Sequence, residues 1–350
     1  MEGGENIKFC GLTDTGKRRT NNEDAFVAEK LDDNAVLAVV IDGVGGYEGG
    51  EVAAEIAQRE IPSYLKEFNR DERLELLKQA VVCANNAIFD RRQLDTARPN
   101  MSCVLTSALI DTDRKVIDMV HVGDTRMYQY HNGELLKLSH DHSYVGYCEE
   151  IGVLTEEQAM NHPRRNEISR AVGEERHRVS DQSFFEAVEH SLLPDSILLL
   201  CSDGLTDLVT SAQIVSILEQ DVPLEEKTKQ LINAANEAGG KDNITVVLVE
   251  YHATEDDPNK QEGGTVQNHD GTETLERCRK DFILAIIAFA IMALSIPCFA
   301  LWKHFHGQDA KDDNPGFNNV IPTEDEQRDS VEEKEHHEVS YLFTQLWLYK

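Results

Sequence analysis

Ala35-Val36-Leu37-Ala38-Val39-Val40-Ile41-Asp42-Gly43-Val44-Gly45-Gly46 is the stretch on which the reading of this chain turns. An apolar run ends abruptly on an acid, and a glycine cluster follows. A short apolar run bounded by turn residues reads as a strand buried on both faces. An ionised carboxylate at the end of such a strand is costly unless something pairs with it. No Lys or Arg lies near it in sequence. A metal ion is the other common partner, and Gly43 lets the backbone turn tightly with its carbonyl uncovered. Asp42 is therefore a candidate metal ligand at the mouth of a sheet. The plainer alternative is an acid capping a helix that begins near Gly50.

The 350 residues suffice for one large domain or two ordinary ones. The formal net charge of −30 excludes nucleic acid as an expected partner, because phosphate backbones bind basic surfaces. The same charge suits sites that concentrate cations. Seven cysteines, none in a C-x-x-C pair, suggest neither a zinc ribbon nor a disulfide framework. Several lie in apolar surroundings, as free cytosolic thiols do. The polar N-terminus is not expected to be a secretory signal.

From Phe9 to about Tyr251 strand-like and helix-like segments alternate. Phe9–Thr15 and Ala25–Glu29 read as a strand pair joined by a polar loop. Val52–Phe68 has helical apolar spacing, and Leu74, Leu77, Val81, Ala84 and Ile88 mark a second amphipathic helix. Strands follow at Val104–Ile110, Val116–Val122 and Met127–His131, and Asn132-Gly133 signals a hairpin into Glu134–Leu138. The stretch from Asp141 to Gly173 is polar and is expected to be mobile. Ser196–Cys201 is another apolar run ending on acid, as Ser202-Asp203-Gly204. Ile214–Leu218 and Leu224–Ala238 read as helices, and Ile244–Glu250 as a last strand. Strands in runs with paired helices indicate an α+β layered fold, covering residues 7–251.

Beyond Tyr251 the character changes. Residues 252–280 read as a polar linker ending in the basic residues Arg277, Arg279 and Lys280. Phe282–Trp302 carries no charge and as a helix would span about 30 Å, so residues 281–303 are expected to cross a membrane. The positive-inside rule then puts the N-terminal part in the cytoplasm and the acidic tail, 304–350, on the far side. The tail closes on an apolar patch, Val339 to Tyr349, for which the sequence names no role.

Asp42 does not stand alone. Asp203-Gly204 repeats the pattern of apolar strand, acid, glycine, and Asp124 follows Val120-His121-Val122-Gly123. Asp242 sits between a Gly-Gly turn and a strand, and Asn22-Glu23-Asp24 lies between two strand candidates. Carboxylates gathered at one rim repel each other unless cations neutralise them. Oxygen-only ligands favour Mg²⁺ or Mn²⁺ over zinc. Two such ions about 4 Å apart can activate a bridging water and clamp an in-line phosphoryl displacement. Arg19, just upstream, offers a guanidinium fork suited to phosphate.

Gly16-Lys17-Arg18-Arg19-Thr20-Asn21-Asn22-Glu23-Asp24, Asp42-Gly43-Val44-Gly45-Gly46 and Val122-Gly123-Asp124-Thr125-Arg126 follow in order along the chain. So do Asp141-His142-Ser143, His162-Pro163-Arg164-Arg165-Asn166, Ser169-Arg170-Ala171-Val172-Gly173, Ser202-Asp203-Gly204-Leu205-Thr206-Asp207 and Gly240-Lys241-Asp242-Asn243. The ordered set resembles the metal-dependent protein serine/threonine phosphatases of the 2C type, and the His-Pro-Arg-Arg-Asn segment resembles their bacterial branch. The resemblance implies a four-layer α-β-β-α fold with a central antiparallel β-sandwich. It implies hydrolysis of phosphoserine and phosphothreonine in proteins, opposite a Ser/Thr kinase, at a binuclear Mg/Mn centre with a bridging hydroxide. Asp42 would bridge the two core ions, with the Gly43 carbonyl on one and Asp203 and Asp242 on the other. Asp124 and Asp207, with Asp203, would make a third, weaker site. Glu23, Asp24 and Asn243 would support the waters around the ions, and Arg19 would hold the substrate phosphate. A flap from about Tyr144 to Gly173, with His162, Arg164, Arg165 and Asn166, would govern substrate choice.

One position departs from the family. Some members place a His directly after the Asp-Gly pair as a proton donor to the leaving group, and here that position is Val44. A metal-bound water or a flap residue is expected to take that role. A non-catalytic phosphoprotein-binding module on the same fold is the alternative function, and such a module typically lacks one of the key acids. All of them are present here.

Overall fold

The structure is a computed structural model that describes residues 6–44, 49–67 and 70–253. Two antiparallel five-stranded sheets stack face to face. The first runs in the order β1 (Ile7–Asp14), β10 (Ile244–Tyr251), β9 (Ser196–Cys201), β6 (Arg126–His131), β7 (Glu134–Lys137). The second runs β2 (Ala25–Asp32), β3 (Ala35–Val44), β4 (Ser102–Asp111), β5 (Val116–Val122), β8 (Glu186–Ser191).

β3 shows why the sequence layers in this way. Its side chains alternate between faces, and both faces are apolar. Leu37, Val39 and Ile41 enter one core with Ala53 and Ala57 of α1 (Gly49–Tyr64) and Leu77 and Val81 of α2 (Arg73–Leu94). Val36, Ala38 and Val40 enter a second core between the sheets, against Leu198, Leu200, Val247 and Val249. The other faces of β9 and β10 pack Leu199, Val246 and Leu248 against Ile214 of α6 (Ser211–Leu218) and Leu231 and Ala235 of α7 (Leu224–Glu237). Helix, sheet, sheet, helix is thus the layer order. The 35–41 run is fully covered on both faces, as its composition predicts.

One expectation needs correction, and two segments hold elements that the sequence reading did not assign. Phe9–Thr15 and Ala25–Glu29 do not pair: β1 pairs with β10 and β2 with β3, in opposite sheets. The polar loop between them carries the chain from one sheet to the other, which periodicity cannot reveal. The 141–173 stretch, to which the sequence reading gave no elements, contains α3 (Tyr144–Glu150) and α4 (Glu156–Met160). Ser143 pairs with Ile168 and Cys103 with Val172, so both of its limbs are pinned. Strand β8 escaped the sequence reading because Glu-Ala-Val-Glu-His-Ser is a half-exposed edge strand with no apolar alternation.

At the sheet end opposite Asp42, Arg73 is 5% exposed and donates to Asp118 at 2.6 Å, fastening α2 to β5. The membrane-spanning expectation for 281–303, the linker beyond residue 253 and the tail lie outside the described residues, as do Gly45 and Gly46. Among the described residues no helix is long and apolar enough to cross a membrane.

Candidate metal centre

Strand alternation brings the acids together. Asp42 continues the Val36-Ala38-Val40 series, which faces the other sheet. Asp24, one residue before β2, has the same parity as Phe26 and Ala28, which pack in that inter-sheet core. Across the gap, Ser202 follows β9 and Thr245 lies near the start of β10. Ser202 Oγ donates to Asp24 Oδ2 at 2.8 Å, and Thr245 Oγ1 donates to the same oxygen at 2.6 Å. Thr13 stands 2.8 Å from Thr245, hydroxyl to hydroxyl, and Asn22 Nδ2 donates to Thr13 at 2.9 Å. The two sheets are therefore stitched at this end by a hydroxyl chain that converges on Asp24.

Asn243 organises the loops. Its Oδ1 accepts from the Glu23 backbone at 2.8 Å, and its Nδ2 donates to the carbonyls of Thr15 and Asn21 at 3.0 and 2.9 Å. Gly43 donates through its N–H to the Glu23 carbonyl at 3.2 Å. A Cβ on Gly43 would lie 2.5 Å from backbone atoms of Glu23 and Gly50, so only glycine fits. Arg19 Nη2 lies 2.7 Å from Asp242 Oδ2. Asp203 opens the short helix α5 (Asp203–Thr206) and Asp207 caps its end, so i,i+4 spacing puts both acids on one side. Asp124 follows Gly123 at the end of β5.

The electrostatics give these acids a common character. Burial raises the Asp42 carboxyl well above the ordinary carboxylate range, and Asp24, Asp203, Asp124 and Asp242 push it further. Asp203 is raised in the same way by burial and then by Asp124, Asp207, Asp242 and Asp24. Burial lifts Asp124 to about 7, with Asp141 adding to it. Burial lifts Asp24 to about 6 against the hydrogen bonds from Thr245 and Ser202. Asp207 is also raised by burial, although Arg165 pairs with it. Burial and crowding disfavour the charged form of each of these acids, and hard divalent ions are the natural partners for an all-oxygen set. Among the described residues no group of three His, Cys, Asp or Glu side chains closes around one ion. An ion here would take part of its shell from water, as Mg²⁺ habitually does. On that donor chemistry the residues fit the expected ions.

The flap residues divide. Arg165 reaches the rim and pairs with Asp207. Arg164 points elsewhere, pairing with Glu167 at 2.7 Å and lying over the Tyr144 ring. His162 accepts from the Arg164 backbone, and Asn166 is exposed. Beside the flap, Arg126 donates to Asp141 at 2.9 and 2.7 Å and to Glu149 at 2.7 Å. Burial would raise Asp141, but Arg126 and Lys137 hold it below the ordinary value. Ser202, Thr245 and Thr13 are the contributors that sequence reasoning missed. A hydroxyl at an inward-facing strand position among apolar neighbours, as at Thr245, is the signal that could have found them.

Comparison with known proteins agrees with this layout. The family described as "Protein phosphatase 2C" matches residues 14–248. The serine/threonine phosphatase stp of Listeria monocytogenes is 36% identical over 247 residues, covering 69% of this chain and 95% of that protein. The structure of the S. agalactiae serine/threonine phosphatase superposes with a TM-score of 0.63 at 31% identity, covering 71% of this chain and 100% of that one. The catalytic domain of the phosphatase PstP, solved in complex with two manganese ions, superposes with a TM-score of 0.60 at 29% identity, covering 71% and 99%. The chain is a member of the protein phosphatase 2C family.

Proposed function

We propose that this protein serine/threonine phosphatase is metal-dependent and removes phosphate from phosphoserine and phosphothreonine in proteins, with Mn²⁺ or Mg²⁺ held at the sandwich end. The observation that carries the reading is the crowding of buried Asp42, Asp203, Asp124 and Asp24 at one rim, with Asp242 close enough to act on Asp42 and Asp203 and paired with Arg19 at 2.7 Å. Asp42, the Gly43 carbonyl, Asp203 and Asp242 would hold two core ions, and Asp124 and Asp207 a weaker third. Bound there, such ions supply Lewis-acid stabilisation of phosphoryl oxygens and an activated water. The chain's own residues do the rest. Arg19 sits at the rim and orients the phosphate through its guanidinium fork. Ser202 and Thr245 keep Asp24 aimed into the site as a proton acceptor for water. Val44 has no proton to donate, so a water at the site or a flap residue would protonate the leaving alkoxide.

The uncharged run Phe282–Trp302 supports a membrane anchor, with the catalytic part in the cytoplasm, the tail opposite, and a Ser/Thr kinase as counterpart. The deciding experiment is hydrolysis of a phosphothreonine peptide with Mn²⁺ by the wild-type chain and by Asp42→Asn. Turnover in the wild type and its loss in the variant is the expected result, and equal turnover in both overturns the reading.

A further inference from the structure

His142 lies at the junction of the rim and the flap, and the proposed reaction makes no use of it. It is 8% exposed. Its backbone N–H donates to the Gly123 carbonyl at 2.6 Å, and the Gly123 N–H donates back to ring Nδ1 at 3.1 Å. His121 Nε2 is 2.9 Å from the same Gly123 carbonyl, and the two imidazoles lie 4.9 Å apart. Two histidines thus clamp the turn that aims Asp124. Gly123 has a φ of +110°, and a Cβ there would strike Val104 at 2.2 Å, so the turn has no slack. On its other side His142 holds the returning limb of the flap. Its carbonyl accepts from the Ser169 N–H at 2.8 Å and from the Ser169 hydroxyl at 2.9 Å. Its ring Nε2 lies 3.0 Å from Arg170 Nη1.

The chemistry of the ring makes this junction more than a tie. A neutral imidazole has one N–H and one lone pair, and an arginine can only donate. Gly123 N–H and Arg170 N–H both point at the ring. When Nδ1 accepts from Gly123, the ring proton faces Arg170, which must turn to another acceptor. When Nε2 accepts from Arg170, the ring proton faces the Gly123 N–H and the turn loosens. We propose that His142 is a positioning residue that couples the flap's returning limb to the Asp124 turn by offering one lone pair to two competing donors. This inference rests on the proposed function only in taking the Asp124 rim as the reacting site.

Two variants of the full-length chain separate the halves of the coupling. In His142→Asn the side-chain oxygen can reach the Nδ1 position and accept from Gly123, but it falls short of Arg170. In His142→Gln the oxygen reaches the Nε2 position and serves Arg170 while abandoning Gly123. Trypsin nicking at Arg164, Arg165 and Arg170 in metal-free protein reads the flap, and calorimetry with Mn²⁺ alone reads the rim. Phosphopeptide and aryl phosphate kinetics give the KM against kcat split. His142→Asn should be nicked roughly three- to tenfold faster, raise KM for the phosphopeptide and leave Mn²⁺ affinity and aryl phosphate kcat unchanged. His142→Gln should keep the wild-type nicking rate while Mn²⁺ affinity and kcat on both substrates fall several-fold. Melting temperatures verify that both variants fold. Variants that match each other in nicking, whether like wild type or equally faster, overturn the proposal. If the wild type hydrolyses neither substrate, the proposed function fails, while the nicking comparison still decides the role of His142.

Discussion

Arg19 Nη2 and Asp242 Oδ2 stand 2.7 Å apart, so the guanidinium that would receive a substrate phosphate also neutralises an acid at the same rim. The pair joins loops far apart in sequence and keeps Arg19 at the site before any ligand arrives. Arg19→Ala should lower kcat/KM on a phosphopeptide by roughly 100-fold, the scale seen for loss of one well-placed donor to a developing anion. Arg19→Lys should recover only part of it, because an ammonium cannot replace the planar fork. Steady-state kinetics with Mn²⁺ at saturation makes the comparison.

The raised acids make stability depend on pH in a definite direction. Asp24 at about 6 and Asp124 at about 7 bind protons in the folded state that the unfolded chain has already released. Their contribution is complete below the ordinary carboxylate value of 3.8 and is lost as pH rises through 6 and 7. Metal-free protein should therefore melt at progressively lower temperature across that window. Added Mn²⁺ should reverse the trend at its upper end and release protons on binding. Thermal melts with chelator and with Mn²⁺, across pH, check both signs. A flat chelator profile would contradict the assignment of these pKa shifts.

Ser202 and Thr245 hold Asp24 from the opposite sheet. Replacing Thr245 by Val removes the 2.6 Å donor while keeping shape, and should cost about 1–3 kcal/mol of stability and raise the Asp24 pKa. Ser202→Ala should act in the same direction. Because the Ser202 hydroxyl also accepts from the Thr245 N–H, the two losses should be non-additive. Denaturant melts of the singles and the double test the coupling.

Gly43→Ala places a Cβ 2.5 Å from backbone of Glu23 and Gly50, neither of which can rotate away. The strand end must shift, at a cost of about 1–3 kcal/mol. The shift moves Asp42 with it, so Mn²⁺ affinity should fall along with melting temperature. A substitution that costs stability and leaves Mn²⁺ affinity intact would separate Gly43 from the centre.

Arg73→Met offers a control remote from the site. It leaves Asp118 buried without its 2.6 Å partner and should destabilise by about 3–5 kcal/mol. Mn²⁺ affinity and kcat of the folded fraction should not change.

Much of the site could be read from the chain alone. The covering of residues 35–41 and the candidate acids at 42 and 203 follow from apolar runs that end on charge, which is a local property, whereas Arg19, Asp124 and Asp242 were singled out by the ordered motifs around them. The order of those motifs named the family before any coordinate was placed. What the sequence left open is non-local. Periodicity could not show that β1 and β2 belong to opposite sheets, because the loop between them spans the sandwich rather than turning within a sheet. It could not find β8, whose exposed face carries no alternation. Nor could it show that Ser202 and Thr245 reach across to Asp24, or that His142 stands between Gly123 and Arg170. Those relations depend on which strand ends the two sheets bring together, and only packing of the inter-sheet core settles that. Asp42 was identifiable as an acid needing a partner, and the tertiary structure decided which other acids share its rim.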